Sequence, residues 1–293
     1  MLKRLAAALG LVGKPDPGWY SSRCTDGQHG LELTYLGTGG FVLDGRGRTL
    51  VLDPYVTRTG LPRLLTGPLI PDESLVARLI PRADDVLVGH AHFDHVLDAP
   101  VLCKQTGARL VGSPAVSMVG RAAGLPERQM HVTSGREDIA CGAFSVRGLP
   151  SRHGKVFMNR VLFPGDITSL PAWPPRIGEL KHGLVLNWHV ETEGFSMVHI
   201  DSADFIREEL QGRRADLVCL CAAGRKARPN YVPEVIELLR PKWVMPCHWD
   251  TMVTPIDGTP DLLPGVDLPG MMQEIRAAGT DTLLMPLLGK LRF

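Results

Sequence analysis

The 293-residue chain is 44% apolar and carries 32 Lys and Arg against 31 Asp and Glu. That length and apolar share suit one large, well-buried domain and exclude a disordered chain. The near balance of charge gives no global pull toward nucleic acid or an anionic membrane, and no apolar run approaches the roughly 20 residues of a membrane span.

Residues 1–30 read as an N-terminal extension and 31–293 as the domain. In the extension, Lys3 and Arg4 precede a short apolar stretch with no small-residue cleavage site after it. A helix docked on the domain or against a membrane is therefore expected there in preference to an export signal, and the protein is expected in the cytoplasm. Residues 31–53 read as three successive strands, with glycines at 37, 39, 40, 45 and 47 marking the turns. Residues 61–72, rich in Pro and Gly, read as a loop, and 73–80 as a short helix. The run Val86-Leu87-Val88 reads as a buried strand ending at Gly89.

Asp98 is the expected N-cap of the next helix, with Pro100 in its first turn and Gly107 as its stop. A strand over 109–111, a helix over 114–123 and strands at 130–132 and 139–149 follow. This β–α–β rhythm predicts an α/β sandwich rather than an all-β or all-helical fold. Residues 155–182, centred on Trp173-Pro174-Pro175, are too dense in proline for a central strand or helix and read as an irregular insertion over a binding edge. A hairpin over 183–191 and 195–201, a strand over 217–222, a helix over 232–240 and a strand over 242–245 complete the predicted elements. The six cysteines (24, 103, 141, 219, 221 and 247) show no metal-ribbon spacing or disulfide framework, and read as small core residues in a reducing compartment.

Chemistry concentrates in VGHAHFDHVL, from Val88 to Leu97, which packs His90, His92, Asp94 and His95 directly after the buried strand. Crowding imidazoles and a carboxylate at a strand end costs desolvation and ordering without a gain in packing. A divalent metal supplies the compensation, since neutral imidazole and carboxylate are ordinary ligands of zinc, iron or manganese.

This H-x-H-x-D-H pattern resembles the signature of the metallo-β-lactamase-fold superfamily. The resemblance implies a four-layer αββα sandwich, with a metal site on one edge between two sheets and the remaining ligands at strand ends downstream. It puts the third histidine at His153, after the strand over 143–149, and a metal-bridging aspartate at Asp201, where Ile200 replaces the usual glycine. The last histidine falls at His248 in Pro246-Cys247-His248-Trp249. That proline-x-histidine is similar to the branch with ascorbate-6-phosphate lactonase and the N-acylphosphatidylethanolamine-hydrolysing phospholipase D.

On this reading His90, His92 and His153 hold one ion, and Asp94, His95 and His248 a second, with Asp201 bridging them and Asp94 also catalytic. Asp53 is either a hydrogen-bond partner behind a ligand histidine or a turn cap. Two divalent ions are expected, zinc first, with manganese or iron as alternatives. Water held between them would cleave a phosphodiester, lactone or related ester without a serine or cysteine nucleophile. An iron-dependent oxidoreductase resembling the persulfide dioxygenases is the second hypothesis, and a binding protein without activity the third. Cys247 is expected to face away from the site, His189 and His199 to be satisfied within their strands, and Asp204 to cap the following helix. Arg225, Lys226 and Trp173 are the candidate substrate contacts. They would suit a small molecule with an anionic group and an apolar portion.

Overall fold

The computed structural model describes residues 13–21 and 27–293. Period-two burial builds its centre. In β3 (Arg48–Leu52), Leu50 and Leu52 face one apolar cluster while Val51 faces another. In β4 (Asp85–Val88), Leu87 joins the first cluster and Val86 and Val88 the second, and β5 (Arg109–Gly112) divides Val111 and Leu110 in the same way. Strands apolar on both faces must be covered on both, and the chain accordingly folds in layers.

The hairpin of β1 (Leu31–Gly37) and β2 (Gly40–Gly45) leads into β3, while β6 (Met130–Val132) and β14 (Lys290–Arg292) close the two edges. The resulting sheet has the order β14-β1-β2-β3-β4-β5-β6. The second sheet contains β7 (Asp138–Cys141), β8 (Phe144–Ser151), β9 (Val185–Thr192), β10 (Phe195–Ile200), β11 (Leu217–Cys221), β12 (Trp243–Cys247) and β13 (Asp281–Thr282). Its order is β13-β12-β11-β10-β9-β8-β7. Each sheet joins an antiparallel half to a parallel half, running β3 to β6 in the first and β10 to β13 in the second.

Helices α1 (Leu61–Thr66), α2 (Glu73–Leu79), α3 (Phe93–Val96), α4 (Ala99–Thr106) and α5 (Pro114–Ala122) send Leu64, Val76, Val96, Leu102 and Val116 into the outer cluster of the first sheet. Helices α6 (Arg207–Leu210), α7 (Tyr231–Leu239) and α8 (Leu268–Ala277) place Leu210, Val235 and Ile275 with the second sheet. The result is the αββα sandwich that the motif implied. Its parallel halves position the site, because β3, β4, β10 and β12 all end at one edge, immediately before Asp53, Gly89, Asp201 and His248. There the sheets are stitched together: the Leu186 amide donates to the Gly89 carbonyl at 2.8 Å and the Ala91 amide to His182 at 3.0 Å.

Several local expectations change. Residues 61–66 are helical rather than loop, with Pro62 in the first turn, where its missing N–H would have had no partner. Asp98 holds the N-cap position of α4, but its carboxylate is drawn away to the Val56 and Thr57 amides and the Thr57 hydroxyl at 2.6–2.9 Å. Gly107 does end α4, in the left-handed conformation at φ +79°. Asp204 caps no helix: Ile206 holds the N-cap of α6, and Asp204 is paired with Arg228. β12 continues through Pro246, which is tolerable because β13 pairs only with Trp243 and Val244 and asks nothing of position 246.

Among the described residues no helix is long and apolar enough to cross a membrane. The segment carrying Lys3 and Arg4 lies outside the described residues, as does Cys24. The other five cysteines are buried free thiols.

Candidate metal centre

The site grows from the end of β4. Gly89 has no Cβ, and one built there would lie 2.1 Å from Asp201 Oδ2, so only glycine admits the carboxylate of the opposite sheet. Its amide donates to Asp53 Oδ1 at 2.7 Å, tying the ends of β3 and β4 together. His90 and His92 are two residues apart in extended backbone, which turns both rings to one side. The chain then winds into the single turn of α3, which brings Asp94 and His95 to the same edge.

Seven side chains converge there in three overlapping groups: His90, His92 and His153; His90, His95 and Asp201; and Asp94, His95 and His248. Within each group the candidate ligand atoms lie within 4.8 Å of one another. Every residue that the motif and its resemblance nominated as a ligand is therefore in this cluster.

Hydrogen bonds orient the rings. His90 Nδ1 donates to Asp201 Oδ2 at 2.6 Å, and His92 Nε2 reaches the Phe163 carbonyl at 3.4 Å. The remaining nitrogens, His90 Nε2 and His92 Nδ1, face each other at 3.0 Å. With His90 Nδ1 donating to Asp201, His90 Nε2 offers its lone pair toward His92 Nδ1, and either a proton or a cation between the two nitrogens satisfies them. His153 Nδ1 donates to the Gly154 carbonyl at 2.7 Å, which leaves its Nε2 free as a candidate ligand beside His90 and His92. On the other side, His95 Nδ1 donates to Asp53 Oδ2 at 2.9 Å, and His248 Nε2 lies 3.1 Å from Asp94 Oδ2. Asp53 is thus the hydrogen-bond partner behind His95, a candidate ligand, rather than a turn cap.

The electrostatics fit a cation equally well. Burial pushes His90 well below the usual imidazole range, His92 down to about 4 and His153 down to about 3, so all three are neutral and able to ligate. Burial acts against a proton on His95 as well, but Asp53 and Asp94 outweigh it and carry that ring up to about 9, so a metal ion at this ring would take the place of a proton that the same carboxylates attract. Burial resists charge on Asp94, yet His95 and His248 hold its carboxyl well below the usual carboxylate range. Asp53, Asp94 and Asp201 together form a buried concentration of carboxylates, and Asp201 Oδ1 has no hydrogen-bond partner at all. A divalent ion would satisfy that oxygen and balance the charge.

The surroundings are held in unusual backbone conformations. Asp53 (φ +43°) and His248 (φ +52°) both adopt left-handed geometry, as does Thr38 (φ +48°), whose carbonyl accepts the His248 amide at 2.6 Å. His199 is fully buried, with its Nδ1 3.9 Å from Asp53 Oδ2, and belongs to no ligand group. His199 sits against the Gly39 backbone and His189 against the Arg214 backbone, so each finds its polar neighbour outside its own strand.

A small pocket of about 80 Å³ opens on the ligands and is walled by Phe163, Leu162, Phe157 and Leu263. The irregular insertion therefore reaches the metal edge through residues 157–163. Trp173 does not: it packs against the outer cluster of the first sheet. Arg225 is also away from the pocket, buried in ion pairs with Glu274 (2.5 Å) and Asp267 (3.2 Å). Lys226 points outward and pairs with Asp267 at 3.1 Å. Cys247 is buried in the core, while Cys221, which no motif marked, lines the pocket. His182 was also unmarked, and its ring stacks on His153 with centroids 5.6 Å apart. Its position at the end of a proline-rich insertion concealed it.

A family model described as a β-lactamase superfamily domain matches residues 32–248. A UPF0173 metal-dependent hydrolase of Anaeromyxobacter dehalogenans is 29% identical over 271 residues, which cover 89% of this chain and 90% of that one. Another, from Methanopyrus kandleri, is 27% identical over 241 residues, covering 79% of this chain and 89% of its own. A metallo hydrolase of the hyperthermophilic archaeon Ignicoccus hospitalis superposes with a TM-score of 0.60 over 90% of this chain and 98% of its own, at 17% identity, a likeness of fold.

Proposed function

The chain belongs to the β-lactamase superfamily domain family, and from that premise we propose that it is a hydrolase working with two divalent metal ions on an ester, lactone or phosphodiester. The observation that carries the reading is the convergence of His90, His92, His95, His153 and His248 on the carboxylates of Asp94 and Asp201 at one buried sheet edge. His90, His92 and His153 would hold the first ion and Asp94, His95 and His248 the second, with the unpartnered Oδ1 of Asp201 between them. Zinc suits this mixture of imidazole and carboxylate, and the bound ions would supply a water acidified to near neutrality and a Lewis acid for the scissile group.

The chain's own residues do the rest. Asp53 fixes the His95 ring, and Asp201 that of His90. Phe163 and Leu162 line the pocket mouth, where a bound substrate packed against them would shed water and strengthen the charge interactions inside. A protein nucleophile is disfavoured: burial pushes the Cys221 and Cys247 thiols far above their usual range, and the Ser202 hydroxyl is engaged as acceptor of the Gly154 amide.

Metal content and activity test this together. Purified protein should carry close to two zinc or manganese ions per chain, lose ester hydrolysis on chelation and regain it on re-addition. A single iron ion with dioxygen consumption would instead establish the oxidoreductase reading.

Asp201→Asn is expected to weaken the second ion and lower turnover by roughly two to three orders of magnitude, because the charge between the ions is lost while the shape is kept. Asp204→Asn should leave metals and turnover nearly unchanged. It loses only a partly exposed pair with Arg228, worth about 1 kcal/mol or less. The reverse ranking, read by metal analysis and steady-state kinetics, would move the bridging position to Asp204.

A further inference from the structure

Beside the metal pocket lies a second, larger concavity, an open groove of about 560 Å³. The two share Val156, Phe157 and Leu263 as a common wall, so a molecule seated in the groove could extend into the metal pocket. The groove is lined by Lys155 and Lys226 and by no aspartate or glutamate. Lys155 makes no ion pair among the described residues. Lys226 has Asp267 as its partner, but Arg225 draws on the same carboxylate, and both Lys226 and Asp267 remain substantially exposed. The groove is therefore net positive.

Its geometry is enforced by the chain. Gly224 sits at φ +81°, and a Cβ there would lie 2.3 Å from the Lys155 carbonyl. Only glycine lets the loop after β11 close on the start of the insertion, and that closure sets the two lysines on one groove. The apolar part of the lining includes Phe157 and Met158, which are 47% and 84% exposed, more apolar surface than a loop facing only water has reason to carry.

We propose that this groove is a second substrate subsite: it takes an anionic group, carboxylate or phosphate, at the end of the substrate remote from the scissile bond, across an apolar linker resting on Phe157 and Val156. The inference rests on the hydrolytic reading of the metal site and specifies its substrate class: an amphipathic ester with one charged terminus. Two ammonium groups, Lys155 without an ion pair among the described residues and Lys226 sharing Asp267 with Arg225, recognise such a terminus through charge-assisted hydrogen bonds. Neighbouring apolar side chains lower the effective dielectric around them.

The test measures binding rather than turnover. The metal-loaded full-length protein is titrated calorimetrically with α,ω-dicarboxylates from succinate to sebacate, and with monocarboxylates of the same lengths. One carboxylate can sit at the metals in either series, so only the second reports on the lysines. At one chain length the dicarboxylate should bind at least about tenfold more tightly than its monocarboxylate, and the gain should shrink as salt is raised. In K155E/K226E, and in the milder K155Q/K226Q, the gain should vanish while metal content and circular dichroism stay as in the parent. Replacing the remote carboxylate by phosphonate distinguishes the two anions: a larger gain assigns the subsite to phosphate, a smaller one to carboxylate. No gain at any length, or a gain that survives both double variants, overturns the subsite. A protein that shows the length effect yet hydrolyses no ester overturns the hydrolytic reading alone, and one that hydrolyses esters without a length effect overturns the subsite alone.

Discussion

His92→Ala and Asp94→Ala are each expected to abolish hydrolysis and release metal from a protein that remains folded. His92 supplies one of the three ring nitrogens grouped with His90 and His153, and without it those two are left as a two-nitrogen site with far weaker hold on zinc. Asp94 supplies the only carboxylate in the group with His95 and His248, so its loss removes both a ligand and the charge that offsets the ion. Neither side chain belongs to the apolar clusters that hold the layers together. The metal-free variants should therefore melt within a few degrees of the metal-free parent, a difference of roughly 1 kcal/mol or less. Elemental analysis, thermal melts and ester hydrolysis on the same preparations check all three parts. Retention of both ions by either variant would remove that residue from the ligand set.

The ligand cluster was readable in the chain because four of its members lie within six residues of sequence, at a strand end that apolar patterning marks independently. His153, Asp201 and His248 were readable only through the resemblance. Each is a lone polar residue after a strand, and nothing local separates Asp201 from Asp204. The structure separates them by direction: Asp201, just past the end of β10, faces Gly89 across the sheets, whereas Asp204 has turned back onto Arg228. The substrate contacts were harder still. Arg225 and Lys226 are adjacent and look equivalent in sequence, yet the turn that begins at Gly224 sends one into buried ion pairs and the other into solvent. The closing elements α8, β13 and β14 carried no predicted counterpart. Strands of two and three residues have too little pattern to announce themselves, and exist because a sheet edge is there to receive them.

The largest stability effect is expected at a pair that carries no chemistry. Arg58 and Asp250 form a fully buried ion pair at 2.6 Å, and each is held by further bonds. Asp250 also accepts from the Tyr35 hydroxyl at 2.9 Å and the Thr38 amide at 2.8 Å, while Arg58 donates to the Leu36 and Thr251 carbonyls, both at 2.9 Å. The cluster clamps the β1–β2 turn to the segment just after His248, whose own amide is held by Thr38. Arg58→Met removes one charge and leaves the other buried without its partner, which costs about 3–5 kcal/mol. The double variant Arg58→Met/Asp250→Leu should cost less than the two single changes added together, since it leaves no orphaned charge. Because Thr38 and Asp250 fix the left-handed conformation of His248, Arg58→Met should also weaken the second metal roughly 10–100-fold while the first is kept. Denaturant unfolding of the metal-free proteins isolates the stability term, and zinc titration of the folded proteins isolates the positioning term. A single variant within about 1 kcal/mol of the parent, with both zinc affinities intact, would show that the hydrophobic contacts around His248 hold the ligand without the ion pair.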